Sequence, residues 1–203
     1  MVPMINKKLS EMNLIETHWK KFRDSLKGNL EAANQAALKN AWNSQPERTE
    51  FYTRKLLPKV AEDLGLYCTT ELFKVDFALC AKSTSGHMVP LIFIESENDA
   101  CSATHEMWKL CSLSAPLKVL ISCIEWCEDP GYWPPFGIKG EKSRLLLDWK
   151  SIIKAHNEVW PQPCVYGIVI GELKENTLRF YSYGLGANGC ELDPEGVLEL
   201  TIS

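Results

Sequence analysis

Three carboxylates stand inside apolar segments of this sequence: Asp76 in KVDFALC (74–80), and Glu95 and Glu97 in PLIFIESE (90–97). Both segments read as strands, and an unpaired carboxylate buried in a strand is costly. Side chains alternate along a strand, so Glu95 and Glu97 point the same way and repel one another. A cation between them resolves the repulsion. If the preceding strand brings Asp76 alongside, three carboxylates converge into an oxygen-rich set that suits Mg²⁺ or Mn²⁺. Such an ion activates water and stabilises charge on a phosphate in transfer. The plainer reading of Glu95 and Glu97 is a strand ending in water.

The elements that must position these residues follow from periodicity. Residues 4–42 place Trp19, Phe22, Leu26 and Leu30 at near-helical spacing, with Gly28 as a point of division into two helices. Ser44-Gln-Pro-Glu47 is a capping box that predicts a helix to about Leu64, stopped by Gly65. Phe51, Tyr52, Leu56, Val60 and Leu64 form its buried side. Strands are expected over Leu66–Leu72, Lys74–Cys80 and Pro90–Glu97, with no tight hairpin signal between the first two. A helix over Ser102–Ser114, a strand over Leu117–Ile124 and a helix over Ser143–His156 follow. Val165–Leu173 and Leu178–Tyr183 then read as a late strand pair. The expected class is α/β, as a 1–43 helical segment and a 44–203 α/β domain that together make one compact domain.

The order helix, strand, strand, strand, helix, strand over residues 45–124, with Asp76 on the second strand and Glu95 on the third, resembles the PD-(D/E)XK nuclease superfamily. That resemblance implies a restriction-endonuclease-like fold: a central mixed sheet with an α-β-β-β-α-β core, flanked by helices. It also implies a Mg²⁺- or Mn²⁺-dependent nuclease. Asp76 and Glu95 match the family's acids, and the backbone carbonyl of residue 96 joins them as ligand. The sequence departs from the pattern where Glu97 replaces the usual Lys, and no Pro precedes Asp76. Some members carry Glu there; in others the Lys has moved to the following helix, which makes Lys109 in HEMWKLC the replacement. Lys109 is alternatively a solvated partner of Glu106 at i,i+3. The family's further acid on the first helix maps to Glu50, with Glu62 as competitor. The implied partner is nucleic acid, DNA favoured over RNA, and the family's habit of cutting as dimers makes a homodimer an expectation. A member of the fold that binds nucleic acid or protein without catalysis is the alternative.

Charge and composition bound these readings. The 203 residues carry 22 Lys and Arg against 26 Asp and Glu, a net charge of −4, which excludes a basic coat over the whole surface. Residues 1–60 nevertheless hold 11 basic and 6 acidic side chains. Arg54, Lys55 and Lys59 on the predicted first helix are therefore candidate phosphate contacts, with a solvated helix face as the plainer reading. The eight cysteines make no C-x-x-C and read as reduced core thiols. Without a long apolar run at the start or elsewhere, a cytoplasmic protein with no membrane segment is expected. Gly184-Leu-Gly186-Ala-Asn-Gly189 matches G-x-G-x-x-G, but too little chain follows for a dinucleotide fold, so it reads as a glycine turn. The four histidines show no ligand spacing, and Ser122 sits in no nucleophile elbow. The aromatic stretch Trp126–Phe136 reads as packing over the sheet, with base stacking as its other use.

Overall fold

The structure is a computed structural model and describes residues 2–98, 102–125 and 142–202. Helix α1 (Val2–Glu31) runs unbroken through Gly28. The chain turns instead at Ala32–Ala33, where Asn34 caps α2 (Gln35–Asn43) by accepting from the backbone N–H groups of Ala36 and Ala37. Ser44 caps α3 (Gln45–Glu50) by accepting from Glu47 N, as the capping box predicts.

The expected single helix to Leu64 is interrupted. A π-helical turn, Phe51–Leu56, separates α3 from α4 (Leu57–Asp63). Pro58 lacks the N–H that an α-helical bond would need, so the chain widens before it, and Leu57 N bonds back to Tyr52 O. Phe51, Tyr52, Leu56 and Val60 still face the core.

Seven strands form one sheet in sequence order. β1 (Tyr67–Leu72), β2 (Val75–Lys82) and β3 (Met88–Glu97) are an antiparallel meander. β3, β4 (Leu117–Glu125) and β5 (Val165–Lys174) run parallel, joined by α5 (Ala103–Ser112) and α6 (Lys142–Val159). β6 (Thr177–Gly186) and β7 (Glu191–Thr201) close the sheet antiparallel. The class is α/β with a mixed sheet.

Alternation along the strands splits the interior into two layers. On one face Ile92, Ile94, Val119 and Ile121 pack against α1–α4; on the other Phe93, Leu120, Ile168 and Ile170 pack against α5 and α6. Trp19, Phe22, Leu26 and Leu30 of α1 belong to the first core. The N-terminal helices are thus a layer of the same domain. Trp19 lies over Gly167 and Gly184, which face each other across β5 and β6, and its indole N–H donates to Asp193 Oδ2 at 2.8 Å. Arg23 pairs with the same carboxylate. The G-x-G-x-x-G stretch is the β6–β7 hairpin, with Gly189 at φ +76°, and its first glycine makes room for an indole. The six cysteines among the described residues are free thiols, four of them buried. Trp126–Phe136, Cys101 and Cys127 lie outside the described residues.

Candidate metal centre

Asp76 and Glu95 meet because β2 and β3 pair antiparallel in a register that joins Phe77 to Ile94 and puts residues 76 and 95 on the next rung. Both side chains point to the α5 face, at the carboxyl end of β3 where the parallel part of the sheet opens. Ligand sites of open α/β sheets favour that position. Asp76 is half-buried and its Oδ2 accepts from Ser96 N at 2.8 Å. Glu95 is 1% exposed. Lys109, from the second turn of α5, reaches back to it: Nζ stands 2.8 Å from Glu95 Oε1 and also pairs with Glu106. The same ammonium donates to Lys74 O at 3.2 Å, in the β1–β2 turn. Lys109 thus contacts Glu106 and Glu95 at once.

Electrostatics at the pair are set by burial. Glu95 is pushed up to about 8 by burial first and by the Asp76 charge beside it, against the pull of Lys109. Burial also raises Asp76, although the Ser96 N–H opposes it. Burial works against the Lys109 charge, but Glu106 and Glu95 outweigh it and the lysine is raised. At neutral pH Lys109 is a cation, and Glu95 keeps a proton when no other cation is present.

Glu97 ends β3 half-buried, opposite Ser122 of β4, and its charge helps raise the Cys123 thiol, whose shift comes mainly from burial. Among the described residues no three His, Cys, Asp or Glu side chains converge on one point as a ready metal cage. The sequence-based expectation that Glu97 joins Asp76 and Glu95 is not realised as such a cage. Glu50 lies at the end of α3, in the layer on the other face of the sheet, exposed and 3.6 Å from Arg54 in an i,i+4 pair. Glu62 is exposed on α4. Neither is positioned with Asp76 and Glu95.

Two features of the site were not read from the sequence. Arg48 of α3 donates to Asn98 Oδ1, just past the end of β3. It brings the one guanidinium of the N-terminal layer that is tied to this strand end among the described residues. Its only sequence signal was membership of a basic helix. Ser122 is fully buried, and its Oγ has no hydrogen-bond partner among the described residues. Neither Glu95 oxygen makes a hydrogen bond of good geometry either, the Lys109 approach being charge to charge. Two carboxylates side by side on adjacent strands, one of them fully buried, are oxygen donors of the kind that a hard divalent cation takes. No protein-family model matches this chain, and no curated protein does.

Proposed function

We propose that this protein is a metal-dependent phosphodiesterase of the restriction-endonuclease-like fold that hydrolyses nucleic acid, DNA in preference to RNA. The observation that carries the reading is the Asp76–Glu95 pair on adjacent strands with Lys109 delivered to it from the next helix. Asp76 and Glu95 would hold Mg²⁺ or Mn²⁺, with Ser96 O beside them and Glu97 nearest in sequence. Bound there, the ion would supply an acidified water and a counter-charge for the phosphate.

The chain's own residues do the rest. Ser96 N–H fixes the Asp76 carboxylate, and Glu106 holds Lys109 at its post. Lys109 holds its proton at Nζ, so it orients the water and offsets charge on the phosphate but does not act as base. Glu97, two residues after Glu95 on β3, is the carboxylate this reading assigns to orienting the attacking water. Glu50 has no part in this arrangement.

Asp76→Asn is the cleanest test, because the amide oxygen still accepts from Ser96 N–H. Metal-dependent cleavage of plasmid, single-stranded DNA or RNA by the wild type, lost in a folded Asp76→Asn variant, is the expected result. Full cleavage by that variant would falsify the assignment. The second reading, a non-catalytic binder of nucleic acid or protein, is favoured by one observation: the Lys109 ammonium already occupies the approach to Glu95, where a metal ion would sit. Calorimetric titration with Mn²⁺ separates the two, since a binder needs no ion at the pair.

A further inference from the structure

The β1–β2 connection is a two-residue turn closed by the pair Leu72 and Val75, with Phe73 at φ 55° and Lys74 at φ 62°. Left-handed conformations at both central positions define the type I′ hairpin turn, normally built from Asn-Gly or Gly-Gly. Here a bulky aromatic and a lysine occupy it, and Glu71 before them is also left-handed at φ 58°. A chain holds non-glycine residues in this region only at a cost, and such residues concentrate at functional sites. The Phe73 side chain gains little burial in return: it is 65% exposed. Its ring meets Phe93 in a T-shaped contact, with centroids 6.2 Å apart at 81°, and most of its surface stays open to solvent. Phe93 lies two residues before Glu95 on the same face, and Asp76 follows Phe73 by three. Lys74 is exposed, and its carbonyl is gripped by Lys109. The turn is therefore tethered to the carboxylate pair.

We infer that Phe73 is a stacking platform for an unpaired base of the strand whose phosphodiester lies at Asp76 and Glu95, with the Lys74 ammonium against the neighbouring phosphate. The inference rests on the phosphodiesterase reading and narrows its substrate to single-stranded nucleic acid. An exposed aromatic combined with a cation on one tether is how such strands are gripped without sequence preference, because every base has a π-face. The exposed ring and the left-handed backbone at two successive bulky residues are what the reading explains together.

The test is cleavage kinetics on a single-stranded oligonucleotide with Mn²⁺. Phe73→Ala should raise KM about tenfold with kcat little changed, and Phe73→Tyr should retain the wild-type KM. One abasic position in the oligonucleotide should reproduce the loss for the wild type and add nothing for Phe73→Ala. Phe73→Gly, which relieves the left-handed strain, should raise the melting temperature while raising KM as Phe73→Ala does. A wild-type KM in both Phe73→Ala and Phe73→Gly overturns the inference and leaves the phosphodiesterase reading intact, as does turnover confined to intact duplex. A wild type that cleaves neither DNA nor RNA overturns both.

Discussion

Glu95 is the residue whose environment most constrains behaviour. Its carboxyl titrates near 8 in the folded protein against an ordinary value of 4.5, so between those limits the folded chain holds a proton that the unfolded chain has released. Its contribution to stability is fully present below pH 4.5 and is lost as pH rises through about 8. Glu95→Gln removes the dependence. With metal chelated, the variant should match the wild type near pH 4.5 and exceed it by about 2–4 kcal/mol at pH 8, since each tenfold change in proton affinity is worth about 1.4 kcal/mol. Urea unfolding at several pH values measures this, and a pH-independent difference would refute the buried, proton-holding carboxyl. Lys109 makes a complementary case. Lys109→Met takes away the cation that competes for Glu95, so Mn²⁺ should bind at least as tightly while kcat falls about 10²–10³-fold. Weaker metal binding with an unchanged kcat would place Lys109 outside the chemistry.

Among the elements, the buried strands and the helices α5 and α6 were legible because their apolar periods were unambiguous. Asp76 and Glu95 were legible for a related reason: charges inside such runs have few structural explanations. What escaped was local backbone chemistry. The type I′ turn uses Phe73 and Lys74 in place of the Asn-Gly pair that marks such turns, and so leaves no signature. The π turn was signalled only by Pro58, inside an otherwise helical pattern. β7 was hidden by Pro194, which an edge strand tolerates where the β6–β7 register shifts between Ser182 and Gly184. Face assignment also lay beyond a one-dimensional reading, which is why Glu50 looked available to the acids and is not. The α1 dock tests the element scale directly. A Cβ on Gly184 would sit 2.5 Å from the Trp19 indole nitrogen and 2.9 Å from Asp193 Cβ. Neither the buried ring nor the strand can retreat, so Gly184→Ala should cost about 3 kcal/mol or more, as overpacked cores do. Asn34→Ala, which removes only a helix cap, should cost about 1 kcal/mol. Chemical denaturation of both variants checks the ranking, and equal losses would mean that α1 is not locked by its indole.

At the scale of the whole molecule, the layered arrangement revises what the uneven charge means. Residues 17–60, with nine Lys and Arg against four Asp and Glu, belong to the α1–α4 layer on the face of the sheet opposite Asp76 and Glu95, and Arg54, Lys55 and Lys59 are exposed there. No helix among the described residues is long and apolar enough to cross a membrane. Among the described residues of this layer Arg48 is brought to the β3 end, through Asn98, while Lys109 reaches Glu95 from α5 and the exposed Lys74 sits in the turn whose carbonyl Lys109 holds. A strand lying across the carboxylate pair would therefore be clamped by cations from both layers, and the remaining basic residues would act as a distant field. Distant charges are screened beyond a Debye length of about 8 Å at physiological salt, whereas a direct phosphate contact releases a counterion. Arg48→Gln and Lys74→Gln should each weaken binding and lower the slope of log K against log salt by about 0.7 for a single strand. The triple variant Arg54→Gln, Lys55→Gln, Lys59→Gln should slow association at low salt and leave the slope nearly unchanged. Anisotropy titrations of a labelled oligonucleotide across a salt series decide between these positions. A triple variant that loses the larger slope would move the nucleic-acid path to the helical layer behind the sheet, away from the carboxylates.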